Sequence, residues 1–491
     1  MVEKALILPL IYDLCRSLEA EKVMYCHWKS NAMLDRSARG DNDLDLLVDH
    51  GSVGRFLEIL FRLGFKEARM SAKKQIPGVL DYYGYDETAD KFVHVHAHFQ
   101  LILGHDATKN YHLPIEKPYL KSAVQEDLFK IPAPEFEFII FIIRMVLKHS
   151  TWDVILGRQG NLSVSERQEL RFLEAHCDSS QVNNILEQHL HCMDAELFDS
   201  CKKSLQPGYS WWGRVKAGWQ LQSSLKAHAR RSRISDVALK VGRRLIGAIQ
   251  RRAFGHVPRK RMTSGGLMVA IIGGDGAGKS TAIDGLYAWL SSHFATISLH
   301  IGKPTWSRTT LFVRGMLKIG RSLGLYPFLK APIQYTENAN SVEFPGYPWL
   351  IRQVCTARDR YLTYINARRF ANEGGLVICD RFPIPQVRFM DGPQGEWMTN
   401  IYPRNRFIQL LINLEKKYYK LILFPELLIV LTVDPATAVQ RKTDEDAVSV
   451  RFRSEGIWKL DWHRYPAHVI DANQTKEEVI TKIKALVWSQ L

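Results

Sequence analysis

Residues 268–281 read MVAIIGGDGAGKST, an apolar run that breaks into glycines and ends in Lys-Ser-Thr. LMVAII (267–272) reads as a buried strand and TAIDGLYAWLSSHF (281–294) as a helix, so the glycines form a strand-to-helix loop. Gly273 to Ser280 fits G-x-x-x-x-G-K-[ST] in full, in the context a phosphate-binding loop requires. The loop's N–H groups must converge on phosphate oxygens, which forces dihedral angles that glycine permits and side chains resist. The helix behind it adds the positive end of its dipole. The nucleotide seat is therefore expected at Gly273, Gly274, Asp275, Gly276, Ala277, Gly278, Lys279, Ser280 and Thr281. Lys279 would reach the β- and γ-phosphates of ATP, and the Ser280 hydroxyl would ligate Mg2+.

The rest of 265–491 alternates apolar strands with helical patterns, the rhythm of βαβ units on a parallel sheet. GGLVICDRF (374–382) holds a short buried-strand run that ends in Asp380 and Arg381. Ligands gather at the carboxyl ends of such strands. Asp380 there would hold Mg2+ through water, and Arg381 would clasp an acceptor phosphate; a surface Asp–Arg pair is the plainer alternative. PELLIVLTVDPATAVQRK (425–442) is a third strand-to-helix unit. Beyond it Arg441, Lys442, Arg451 and Arg453 surround the polar segment TDEDAVSV (443–450). Arginines on a lid would neutralise charge in the transition state, or they line an exposed helix face.

GGDGAGKST, CDRF, PELLIVLTVD, the Arg-flanked segment and VIDANQTKEEV (469–479) occur in the order seen in thymidylate kinases, which 265–491 resembles. The resemblance implies a P-loop kinase with a five-stranded parallel sheet and flanking helices. It implies Asp275 near the acceptor nucleotide's sugar and Arg381 on the acceptor phosphate. Arg441, Arg451 and Arg453 would serve the donor or the transferred group. The chain departs from the family after the second strand: an Arg-Glu-Pro-Gly segment is replaced by His300, Gly302, Lys303 and Pro304 in ISLHIGKP (297–304). A long aromatic and basic insertion, about 304–350, follows. ARDRYLTYINARRFANEGG (357–375) then offers Arg358 and Arg360 to an anionic acceptor. The acceptor pocket is expected to be rebuilt.

Upstream, GDNDLDLLVD (40–49) sets Asp43 and Asp45 two apart, on one face of a strand, as a two-metal site requires. FVHVHAHFQL (92–101) sets His94, His96 and His98 on one face of another. About 20–150 resembles the nucleotidyltransferase fold. The Gly-Ser pair of that fold is missing, with HWKSN (27–31) in its approximate place, and His94 stands where a third acid is expected. A neutral imidazole does not offset two Mg2+ charges; it suits a softer ion such as Zn2+ or Mn2+. Three readings stay open: a retired transferase used for binding, an altered site holding a second divalent metal on Asp43, Asp45, His94 and His96, or structural residues.

The 491 residues imply several domains, and we divide them as 1–125 (α+β, nucleotidyltransferase-like), 126–222 (helical extension), 223–264 (basic linker or amphipathic helix) and 265–491 (P-loop domain). The net charge of +15 favours anionic partners. Residues 226–261 hold twelve Lys or Arg against one acid, Asp236, with apolar residues interleaved. Such a segment lies on an anionic membrane or is a solvated linker; nucleic acid ranks behind. Seven scattered cysteines with no C-x-x-C pair point to a reducing compartment. FEFIIFIIRMVLK (136–148) holds Arg144 and falls short of the roughly 20 apolar residues of a span, so it reads as a core helix.

The expectation is a cytoplasmic α/β enzyme, peripheral at most on the inner membrane face. It would move the γ-phosphoryl of ATP to a nucleoside monophosphate. The alternatives are a kinase for a sugar or glycan hydroxyl in surface-polysaccharide synthesis, an ATP-controlled binding protein, and an active nucleotidyltransferase.

Overall fold

Val, Ile and Leu fill the strands that decide the architecture. In the computed structural model, residues 7–70, 75–149, 162–254, 259–325, 346–384, 392–395, 405–443 and 445–491 are described. The chain divides into two compact units, Met1–Pro258 and Arg259–Leu491. Most of the second half of the 304–350 insertion, and Asp444 in the lid segment, lie outside the described residues.

The first unit carries strands β1 (Tyr25–His27), β2 (Leu44–Val48), β3 (Lys66–Arg69), β4 (Val79–Asp86) and β5 (Lys91–His98). They lie side by side in the order β1-β2-β5-β4-β3. Only β2 and β5 run parallel, with Asp45 opposite His96; β4 runs antiparallel to β5, with Asp81 opposite His96. The alternation of β5 places Val93, Val95 and Ala97 in the core and turns its histidines to the other face.

Helix α1 (Pro134–His149) is buried along nearly its whole length, as its all-round apolar sequence requires. Two of its first-turn residues, Glu135 and Glu137, are buried as well, and both need partners. The Asp178 N–H donates to Glu135 at 3.3 Å and the Asn31 N–H to Glu137 at 3.2 Å. A later helix, Val164–His176, opens on a capping box in which Ser163 and Glu166 satisfy each other's N–H groups.

Within the basic stretch the chain forms one helix, α2 (Arg233–Phe254). This helix and the two arginines just before it are tied to the loop at 105–110. Arg230 donates to the Lys109 carbonyl at 3.0 Å, Arg231 and Asn110 bond twice, Arg243 bonds the Ala107 carbonyl, and Arg244 meets His105 at 2.9 Å. No helix among the described residues is long and apolar enough to cross a membrane.

The second unit is an α/β fold built on five parallel strands: β6 (Leu267–Gly273), β7 (Thr296–His300), β8 (Leu376–Asp380), β9 (Leu427–Thr432) and β10 (Ala467–Asp471). Their order is β7-β8-β6-β9-β10. β6 is buried at all seven positions, as a central parallel strand must be. Its helices include α3 (Lys279–Ser291), α4 (Arg308–Ser322), α5 (Tyr347–Asn372), α6 (Pro435–Arg441) and α7 (Ala447–Trp458).

Burial pushes the Glu137 carboxyl up to about 7, with the bond from Asn31 opposing. The folded chain therefore holds a proton that the unfolded chain releases near its ordinary value of 4.5, so stability is lost as pH rises from there to about 7. Glu137→Gln keeps an acceptor for Asn31 and removes the titration. The variant is expected to match the wild type near pH 4.5 and to exceed it at pH 8 by on the order of 2–3 kcal/mol in urea unfolding. Equal pH profiles for the two proteins would refute this assignment.

Candidate functional site

β6 delivers the chain to the loop, and the loop has no room for side chains where it turns. Gly276 has a φ of +73°, and a Cβ there would meet the Ala438 carbonyl oxygen of α6 at 2.7 Å. Gly278 caps α3 at φ +78°, in the left-handed region that Gly adopts without penalty. Lys279, the first residue of α3, is only 9% exposed and its ammonium donates to the Gly274 carbonyl at 2.7 Å. Burial pulls Lys279 down to about 8; Arg381 and Lys442 act in the same direction, Asp275 and Asp380 against it. Ser280 and Thr281 stand exposed at the head of the helix.

Register brings the other strand ends to the same edge. Asp380, the last residue of β8, pairs with Ile271, two residues before Gly273. Its carboxylate is half-buried, with His300 Nε2 from the end of β7 at 3.6 Å. Arg381 follows at φ +52°, a left-handed conformation that costs on the order of 1–3 kcal/mol for a non-glycine residue and recurs at functional sites. Ser280 and Asp380 are hard oxygen donors of the kind Mg2+ takes.

The three lid arginines part company. Arg453 on α7 reaches the buried Asp275 of the loop at 2.8 Å and also pairs with Glu445. Arg441 donates to the Ala472 carbonyl at 2.8 Å, and Arg451 is exposed. The two arginines of α5 also differ. Arg360 is buried and spends its guanidinium on the carbonyls of Ile301 and Gly302, at 3.3 and 2.7 Å, and on the Tyr419 hydroxyl. It fastens the segment after β7. Arg358 is half-buried, and its guanidinium makes no hydrogen bond among the described residues.

In the first unit the paired acids and the histidines do converge, with partners the sequence reading missed. His94 bridges Asp43 and Asp81, with a 2.8 Å contact from each ring nitrogen, and stacks on Tyr83. The third carboxylate is thus Asp81 of β4. Its signal was one of two acids, Asp81 and Asp86, in VLDYYGYD (79–86), a weak one. Asp45 Oδ1 takes Lys29 at 2.8 Å, His96 Nδ1 at 3.0 Å and His98 Nε2 at 3.7 Å. Burial alone would raise the Asp45 carboxyl; Lys29, His96 and His98 together hold it well below the usual range. Burial pushes His98 down to about 3, so it is neutral.

Asp45, His96 and His98 offer ligand atoms within 4.8 Å of one another. This mixed donor set suits Zn2+ or Mn2+ better than Mg2+, and Lys29 competes with any cation for the shared oxygen. His94 stands outside it.

Asp43 and Asp45 face a cleft of about 370 Å3 within this unit. Its other walls carry Lys109, Arg144 and Lys148, none of which the sequence reading assigned to a site. Each is matched to an acid: Lys109 to Asp106 at 3.3 Å, Arg144 to Glu169 at 3.1 Å, Lys148 to Glu166 at 2.9 Å. Such a cleft presents fixed donors and acceptors to a polar ligand.

No family model matches the chain. Over 224 residues it is 25% identical to a protein of Escherichia coli (strain K12) named uncharacterized ATP-binding protein YghR, an alignment that covers 45% of this chain and 86% of that one. Over 218 residues it is 26% identical to uncharacterized ATP-binding protein YghS of the same strain, covering 43% of this chain and 89% of the relative.

Proposed function

We propose that the second unit binds ATP and transfers its γ-phosphoryl group, as a kinase of the thymidylate kinase-like type. The observation that carries this reading is the buried Lys279, set in a glycine-rich strand-to-helix loop near Asp380 and Arg381, with Asp275 of the same loop paired to Arg453 of α7. Two relatives named for ATP binding support the donor.

With ATP in the loop, the Lys279 ammonium leaves the Gly274 carbonyl for the β- and γ-phosphate oxygens. The acceptor oxygen attacks the γ-phosphorus in line as the bond to the β–γ bridging oxygen breaks, and ADP leaves. Mg2+, held by Ser280 and Asp380, would neutralise charge on the phosphates. Arg381 positions the acceptor. Arg453 would exchange Asp275 for developing negative charge.

A nucleoside monophosphate is the acceptor the resemblance favours. A sugar or glycan hydroxyl is the second reading. It is favoured by the replaced segment after β7, where His300 lies against Asp380 and Arg360 is consumed by backbone carbonyls. The first unit is read as a binding module, because Lys29 and the three histidines already answer the carboxylates of its D-x-D strand.

Labelled ATP offered with nucleoside monophosphates and sugars is expected to label one class. Lys279→Ala should lower the rate by about 10²–10³, the usual cost of one transition-state charge partner. Retention of ATP with no labelled acceptor would replace this reading by a nucleotide-controlled binding protein. The double variant Asp43→Ala, Asp45→Ala is expected to leave the transfer intact; its loss would restore the first unit to catalysis.

A second expectation concerns protons. Lys279 must be charged to pair with phosphate, and it titrates at about 8 when free. ATP binding at pH 8 should therefore take up a proton, and affinity should fall as pH rises through that value. Calorimetry in buffers of different ionisation heat checks this; heats that do not vary with buffer would contradict it.

A further inference from the structure

From helix α4 of the second unit we infer that this protein docks on an anionic lipid surface. α4 opens the insertion that follows β7. Its inner side is anchored: the Ser307 N–H before it donates to the buried Asp359 at 3.2 Å, and Thr310 is 1% exposed. Its outer side is apolar and bare. Leu311, Phe312, Met316, Ile319 and Leu323 are each more than half exposed, Phe312 by 67% and Leu323 by 69%. At 100° per residue these positions fall in one stripe.

Arg308, Arg314, Lys318 and Arg321 lie on the same helix, which contains no acid at all. Trp306, 51% exposed, sits just ahead with the Arg314 guanidinium 3.8 Å over its ring. An amphipathic aromatic ring beside a cation suits the headgroup layer. Fifteen residues give a helix about 22 Å long, short of the roughly 30 Å hydrocarbon core, so it would lie in the interface plane.

Charge selects the occupant. Nucleic acid answers the cations but gains nothing from a Phe–Met–Ile–Leu stripe, whereas an anionic bilayer answers both. The same pattern recurs independently on α2 of the first unit, where Ile234, Leu245, Ile246 and Ile249 are exposed on a helix with six Lys or Arg against Asp236.

The anchored start of α4 follows the carboxyl end of β7, whose His300 pairs with Asp380. Docking would bring the acceptor edge of the sheet near the bilayer and favour a lipid-borne hydroxyl or phosphate as acceptor. This consequence rests on the kinase reading; the docking itself does not.

The test is sedimentation of the full chain, without nucleotide, with vesicles containing phosphatidylglycerol and with vesicles of phosphatidylcholine alone. Binding is expected only to the former and should weaken with salt. Phe312→Glu with Ile319→Glu should reduce it by more than about tenfold, and so should Ile246→Glu with Ile249→Glu. Retained ATP binding and unchanged thermal unfolding would show that the exposed substitutions leave the fold intact. No binding to anionic vesicles overturns the proposal. So does binding that the α4 variant leaves unchanged, or a loss of self-association in that variant with no vesicle binding by either protein.

Discussion

A lysine ammonium withdrawn from water has to be answered by oxygen, and the second unit is arranged around that demand. Lys279 starts α3 and cannot leave the sheet edge, because β6 is buried along its length and the loop between them is pinned against α6 at Gly276. Without a phosphate, the Gly274 carbonyl is its acceptor. Burial lowers its affinity for a proton, so the group is poised near neutrality and gains most from an anionic ligand. The nearby charges are set by the same edge: Asp380 by register with Ile271, Asp275 by the loop itself, Arg453 by the helix that packs over it.

The first unit meets the same constraint with the opposite sign. Asp45 is an ionised carboxylate at the wall of a cleft, and burial opposes its charge. Lys29 and two histidines supply the compensation that a divalent cation would otherwise provide. Isolated, such a carboxylate would take up a proton; paired, it stays ionised and holds three donors in place. His94 does the same between Asp43 and Asp81. The result is a rigid polar wall, consistent with recognition of a ligand.

The legibility of these two sites differed for a physical reason. The loop from Gly273 to Thr281 is contiguous, and each of its residue types follows from local backbone geometry, so the motif could be read in one pass. Asp380 and Arg381 were legible because a parallel strand exposes its carboxyl end. Asp81, Lys29, Lys109, Arg144 and Lys148 were not. All but Lys109, whose partner Asp106 is three residues away, reach theirs across strands or helices, and register between strands leaves no mark at a single position. Arg360 had the sequence of an acceptor ligand and is spent on the carbonyls of Ile301 and Gly302, a contact between α5 and the segment after β7. Arg453 and Arg441 looked equivalent until packing sent one to Asp275 and the other to the Ala472 carbonyl.

By itself, then, the sequence determined the alternation of strand and helix in 265–491, the glycine-rich loop that joins β6 to α3, the face of β5 that carries histidines, and the amphipathic character of the basic stretch. These are consequences of periodicity and backbone freedom, which act over a few residues. Only the tertiary structure decided which charges meet: Arg453 with Asp275, Lys29 with Asp45, His94 between two acids from different strands. Ion pairing depends on distance through space, and burial decides how much each pair matters. Both quantities arise only when distant segments pack.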